Sequence, residues 1–257
     1  MRQLIGACAW AVAALQLISP AAASERAPVP GAGFRVVAEY PHDASAFTQG
    51  LVFHRGFLYE STGRYGESTV RKVELETGRV LNVRKLPADR FGEGLTVAGE
   101  RLIQLTWRAR TGYVYDLDTL NLVGSFHYPT EGWGLAYDGT HLLLSDGSDA
   151  IHLLDPETFG LVGSLRVHHH GKPVTMLNEL EFVDGFIYAN VWQSTRVARI
   201  DAKSGQVVAW IEFAALAPPP DTGAGVLNGI AYHPGKEAFL ITGKLWPTLY
   251  MINLIQE

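Results

Sequence analysis

The sequence predicts an all-β fold, a five-bladed β-propeller closed by pairing of its N-terminal and C-terminal strands. One observation is a phrase that recurs five times: a polar or aromatic residue, usually then Gly, then an apolar strand. The copies are Thr48-Gln49-Gly50-Leu51, Gly92-Glu93-Gly94-Leu95, Gly132-Trp133-Gly134-Leu135, Asn178-Glu179-Leu180-Glu181 and Asn228-Gly229-Ile230. A second is the period. With Gln49, Glu93, Trp133, Glu179 and Asn228 taken as equivalent, the steps are 44, 40, 46 and 49 residues, the spacing of propeller blades. The third is the text between the copies, which reads as short strands and turns with no clean ten-residue helical period after the first residues.

The elements follow in chain order. Met1-Arg2, the apolar run Leu4 to Leu17 and Ala21-Ala22-Ala23 before Ser24 have the pattern of a cleaved secretory signal peptide over 1–23. That run is too short for a stable membrane span. Cys8 is the sole cysteine and most of the apolar stretch follows it, which disfavours a lipid anchor. The expected product is exported, periplasmic or secreted, with no cysteine for a disulfide, a thiol nucleophile or a metal. Residues 24–33 form an extension and 34–257 the propeller. Within it, Leu51–Phe53, Phe57–Tyr59 and Val70–Leu75 are β-branched or aromatic runs between Gly-containing breaks, and the same order repeats in later units. The third strand of most units ends in a polar turn: Leu75-Glu76-Thr77-Gly78, Leu117-Asp118-Thr119-Leu120, Asp155-Pro156-Glu157-Thr158, Asp201-Ala202-Lys203-Ser204-Gly205. Asp, Ser and Thr oxygens there can bond nearby backbone donors. The fifth unit lacks an outer strand, and Phe34–Tyr40 supplies it, which removes open sheet edges. The Pro-rich stretch 217–225 precedes the last repeat and is a loop, not a linker.

The innermost strand of a propeller blade runs along the axis, so the residue at its start faces the centre. This gives an expected ring of Gln49, Glu93, Trp133, Glu179 and Asn228. A second series, Ser61-Thr62, Thr106-Trp107, Ser145-Asp146, Val191-Trp192 and Gly243-Lys244, would form a collar above it. Together they offer carboxylates, amides, a cation and indoles in one concavity, the composition of a small-ligand site. Glu93 stands between two glycines that contribute no packing, and a buried carboxylate is costly unless paired or functional. Trp107, Trp133 and Trp192 lie near equivalent strand ends, whereas Trp210 and Trp246 are open between site and core. Consecutive imidazoles at His168-His169-His170 do not converge on one ion, and a solvated turn is expected there. The formal charge of −5 and the absence of a basic run argue against nucleic acid as a partner. No phosphate-binding loop or nucleophile elbow is present.

The phrases themselves resemble the glutamine cyclotransferase family of plants and bacteria. The resemblance is carried by Phe47-Thr48-Gln49-Gly50-Leu51, Tyr59-Glu60-Ser61-Thr62-Gly63, Phe91-Gly92-Glu93-Gly94, Gln104-Leu105-Thr106-Trp107 and Glu131-Gly132-Trp133-Gly134. It continues through Leu177-Asn178-Glu179-Leu180-Glu181, Ala189-Asn190-Val191-Trp192, Leu227-Asn228-Gly229-Ile230-Ala231 and Thr242-Gly243-Lys244-Leu245-Trp246-Pro247. The ordered series spans about 34–254. It implies a five-bladed propeller that converts N-terminal glutamine to pyroglutamate with release of ammonia, with no cofactor and no catalytic metal. It places the catalytic carboxylate on Glu93 and the pocket on Phe47, Gln49, Trp107, Trp133, Asn178, Trp192 and Lys244. On that reading Glu93 shuttles the proton, Lys244 or Asn178 stabilises the oxyanion, and Glu179 and Asn228 join the substrate-binding residues. The implied partners are peptides or proteins beginning with glutamine, met by a monomer without nucleic acid or membrane. The competing expectations are a metal-dependent lactonase-like hydrolase and a non-catalytic protein-binding propeller.

Overall fold

The computed structural model describes residues 31–255, so the expected signal peptide and most of the 24–33 extension lie outside the described residues. After β1 (Gly31–Pro41) the chain makes four blades of four antiparallel strands in simple succession, three of them separate sheets and the fourth joined through β1 to the last blade. Blade one is β2 (Thr48–His54), β3 (Phe57–Thr62), β4 (Thr69–Glu74) and β5 (Val80–Lys85). Blade two is β6 (Gly92–Ala98), β7 (Arg101–Thr106), β8 (Thr111–Asp116) and β9 (Leu122–His127). Blade three is β10 (Gly134–Tyr137), β11 (Leu142–Ser145), β12 (Ala150–Leu154) and β13 (Leu161–Arg166). A two-stranded hairpin, β14 (His168–His169) with β15 (Lys172–Pro173), precedes blade four. That blade is β16 (Leu177–Val183), β17 (Phe186–Val191), β18 (Arg196–Asp201) and β19 (Val207–Glu212).

Blade five combines β20 (Leu227–His233), β21 (Ala238–Gly243) and β22 (Thr248–Ile255) with β1 as its outer strand. The β1–β22 register runs antiparallel from Gly33↔Ile255 to Pro41↔Thr248, with an irregularity between Val36 and Ala38. The expected closure by the two ends is therefore present. β1 also pairs in parallel with β19 at Gly31↔Trp210 and Ala32↔Ile211, stitching blade four to blade five.

Burial follows from this arrangement. Each sheet packs face to face on its two neighbours, and each of the five apolar clusters draws on two adjacent blades. Leu95, Leu102 and Tyr115 of blade two, for example, pack with Tyr59 and Val70 of blade one. The inner strands are thus buried on both faces, as β7 shows with five of its six residues buried. Outer strands such as β5, β9 and β13 are mostly exposed or half-buried. Burying one Leu or Ile contributes about 1.5–3 kcal/mol, which makes the interblade clusters the main source of stability.

The turns obey the expected chemistry. The last residue of the third strand accepts from a hydroxyl three residues on: Thr77 to Glu74, Thr119 to Asp116, and Ser204 to Asp201, with Thr158 likewise bonding Asp155. Near the axis the inner strands approach so closely that a Cβ on Gly50 or Gly94 would lie 2.5 Å from a neighbouring backbone atom. One expectation needs adjusting, and one position left open is decided. The histidine tract is a solvated turn only at His170, which is exposed at the hairpin tip; His168 and His169 are half-buried in the hairpin, where His169 accepts a 3.4 Å bond from Trp210. Trp246 is core, 1 % exposed, its indole N–H on the carbonyl of Gly225.

Candidate active site

The ring residues owe their direction to a repeated backbone irregularity. In four inner strands the pairing slips at the start, between Thr48/Gly50, Gly92/Leu95, Leu177/Leu180 and Leu227/Ile230. Such a bulge inserts an unpaired residue and re-aims its side chain. Leu95↔Gln104, Leu180↔Ala189 and Ile230↔Ile241 are equivalent pairs just beyond the slip. This register corrects the sequence alignment by one residue in blade four: the counterpart of Gln49, Glu93, Trp133 and Asn228 is Asn178, not Glu179.

Glu179 takes the place that glycine holds in the other blades. It is fully buried and lines no cavity wall. Its carboxylate accepts from Leu51 N–H at 3.1 Å and from Ile230 N–H at 2.8 Å, linking blade four to blades one and five across the axis. Burial pushes this carboxyl well above its ordinary range, with repulsion from Glu181 adding to the shift. Asn228 is also corrected: it is buried off the wall and donates to Thr48 O at 3.1 Å and Gln49 Oε1 at 3.2 Å, so it orients Gln49.

A second repeated bond builds the collar. The N–H that follows the second strand donates to the carbonyl two residues before the ring position. The pairs are Gly63 to Phe47, Trp107 to Phe91, Trp192 to Met176 and Lys244 to Val226, at 2.8, 3.0, 2.8 and 3.0 Å. Blade one has Gly63 where the others carry a side chain, and a Cβ there would collide with the Phe91 ring. Asp146, the blade-three member, turns away and bonds His152 at 2.9 Å.

Ring and collar enclose a cavity of about 430 Å³, a size suited to a small ligand or one peptide residue. Its polar groups are Gln49, Glu93, Asn178, Gln193 and Lys244. Its apolar wall is Phe47, Phe91, Trp107, Trp133 and Trp192, closed by Gly225 at the end of the Pro-rich loop and by Val226 after it. Trp133 meets Trp192 edge-on at 5.5 Å, and Phe91 meets Trp107 at 5.6 Å.

The electrostatics are unusual. Glu93 is 4 % exposed, and burial raises its carboxyl well above the usual carboxylate range. The charge of Glu131 pushes the same way, while Lys244 and a hydrogen bond with Gln49 oppose it. Lys244 is 6 % exposed, and burial lowers its ammonium below the ordinary lysine range, with Glu93 pulling it back. Its Nζ sits 4.8 Å from the Phe47 ring centroid. Asn178 Oδ1 is buried without a hydrogen-bond partner, which leaves it free to accept from a bound molecule. Among the described residues no group of three or more His, Cys, Asp or Glu is arranged to hold a metal ion.

Phe47, Gln49, Glu93, Trp107, Trp133, Asn178, Trp192 and Lys244 thus converge, whereas Glu179 and Asn228 stand behind the wall. Phe91, Gln193, Gly225 and Val226 are wall residues that sequence reasoning did not single out. A signal for two of them existed: Phe91 and Val226 lie two residues before Glu93 and Asn228, as Phe47 does before Gln49.

A propeller whose central cavity pairs a carboxyl and an amine, both shifted toward neutrality, inside an aromatic cage has the makings of an acid–base enzyme. Comparison with known proteins narrows the class. A family model described as glutamine cyclotransferase matches residues 9–254. Glutaminyl-peptide cyclotransferase from Arabidopsis thaliana is 47% identical over 227 residues, covering 86% of this chain and 71% of that protein. The crystal structure of Myxococcus xanthus glutaminyl cyclase aligns with a TM-score of 0.82 and 40% identity, over 89% of this chain and 98% of the other. The chain belongs to the glutamine cyclotransferase family.

Proposed function

We infer that the protein is a glutaminyl-peptide cyclotransferase, converting an N-terminal glutamine of a peptide or protein to pyroglutamate with release of ammonia. The observation that carries this reading is the burial of Glu93 and Lys244 in one aromatic cavity beside an unpartnered Asn178 oxygen.

The reaction joins the α-nitrogen to the side-chain amide carbon and breaks that carbon's bond to nitrogen. The attacking amine must be neutral, and a reference pKa of about 8 leaves a usable fraction at mildly alkaline pH. Asn178 Oδ1 is available to accept one of its N–H groups. As the ring closes, the α-nitrogen gives a proton to ionised Glu93. The raised affinity of that carboxyl for a proton matches both this step and the next, in which the proton passes to the departing amide nitrogen. Lys244 supplies positive charge to the oxyanion of the tetrahedral intermediate. Gln49, held by Asn228 and bonded to Glu93, orients the side-chain amide. The aromatic wall holds the glutamine side chain folded, which favours attack within one molecule over attack by water.

Incubation with a Gln-initiated peptide tests the reading. Ammonia should appear in step with loss of one ammonia from the peptide mass, and a peptide beginning with Asn or acetyl-Gln should not react. Failure with all Gln-initiated peptides would overturn it. The leader pattern over 1–23 supports export, and the exported enzyme is read as a monomer that works without cofactor or metal. Mass analysis of the mature N-terminus from a secreting host checks the cleavage after Ala23.

A further inference from the structure

Glu131 belongs to neither ring nor collar, yet it touches both. Its Oε2 accepts from the indole N–H of Trp107 at 2.6 Å and from that of Trp133 at 3.1 Å. Trp107 follows the second strand of blade two and Trp133 opens blade three, so one oxygen joins two blades. Oε1 faces Arg108 Nε at 3.6 Å, and the Arg108 guanidinium lies 3.9 Å from the Trp107 ring centroid. An indole N–H is only a donor, so a shared acceptor fixes the rotation of both rings. Trp133 so held meets Trp192 edge-on. The Glu131 side chain is 36% exposed, so its charge lies behind two wall indoles and within reach of solvent.

We propose that Glu131 is a positioning residue for cyclisation, setting two aromatic walls through one carboxylate oxygen and drawing the substrate α-ammonium to the cavity. The inference rests on the cyclotransferase reading and adds a residue to it. Its charge also bears on Glu93, whose surroundings are Gln49, Lys244, Tyr128 and Glu131 itself. Negative charge nearby holds both the Glu93 carboxyl and a bound ammonium in their protonated forms. Removing it makes both lose the proton at lower pH.

Two variants separate wall and charge. Glu131→Gln keeps an acceptor oxygen and loses the charge; Glu131→Leu loses both. Steady-state ammonia release from a Gln-initiated peptide is measured across pH, with tryptophan emission and melting temperature on each protein. The expected result for Glu131→Leu is a KM raised about tenfold as both indoles lose their shared acceptor and the charge is removed, a smaller fall in kcat and a shifted emission maximum. Glu131→Gln should recover the emission but only part of the KM, the remaining rise reading the lost attraction for the α-ammonium, while the acid limb of kcat moves to lower pH. Wild-type KM and emission in the Leu variant, or an unmoved acid limb in the Gln variant, overturns the proposal. If Glu131→Leu does not fold, the acid limb of Glu131→Gln decides alone. A wild-type enzyme that releases no ammonia overturns the cyclotransferase reading first, an outcome distinct from an active wild type matched by its variants.

Discussion

Replacing Glu93 by Gln changes one atom in the most strongly perturbed part of the site. The amide occupies the same space and its oxygen can still accept the bond from Gln49, so the cavity keeps its shape. What is lost is the capacity to take a proton from the α-nitrogen and return it to the leaving group. General acid–base catalysis contributes about 10²–10⁴-fold for a single transfer, and Glu93 serves two in succession. A fall in kcat of about 10³-fold is expected, which corresponds to about 4 kcal/mol of barrier. Stability should move the other way. The Glu93 carboxyl ionises at higher pH in the fold than in the unfolded chain, where its reference value is about 4.3. Below that value both states hold the proton and the group is neutral to stability. Between the unfolded and the folded value the unfolded chain alone has released it, so the wild type loses stability as pH rises. Gln does not titrate. The melting temperature of the variant should therefore gain on the wild type from pH 4 upward, with the gap widest once Glu93 ionises in the fold. Ammonia release at saturating peptide and calorimetric melts at several pH values read the two effects. A kcat within about tenfold of wild type would refute the proton-transfer role, and a melting difference independent of pH would refute the account of its burial.

Three further outcomes are expected. Burial pushes the Glu181 carboxyl up to about 8, so Glu181→Gln should remove a loss of stability that the wild type suffers from the unfolded carboxylate range up to about that pH; identical pH slopes of melting temperature would contradict this. Glu179→Ala strips the acceptor from Leu51 and Ile230 N–H, each worth about 1–3 kcal/mol when buried, and should lower the melting temperature by about 10 °C, measured by calorimetry. Dialysis against a strong chelator should leave ammonia release unchanged, and an activity lost and then restored by added zinc or calcium would return the metal-dependent reading.

The propeller was legible because its scaffold repeats: the Gly and apolar residues after each ring position are read directly as an inner strand. The collar was legible for the same reason, since Trp107, Trp192 and Lys244 each follow an apolar second strand. Blade four broke the pattern. It carries Glu179 where the other four have glycine, so alignment on the nearest carboxylate displaced the ring from Asn178, and only the pairing of Leu177 with Val191 reveals the slip. Glu131 was invisible as a functional group because its action depends on two indoles meeting across a blade boundary. Gly225 and Val226 reach the wall through tertiary bonds to Lys244, which no local pattern encodes.

The Glu179 strut has a consequence for rigidity. Its carboxylate holds backbone N–H groups of blades one and five behind the ring, and a Cβ on Gly50 or Gly94 would lie 2.5 Å from a neighbouring backbone atom, so the strands that carry the ring cannot shift without moving three blades together. An internal glutamine has its nitrogen in a peptide bond and no free amine to close the ring. Only a chain end can react, and it meets side chains whose backbone is pinned from behind.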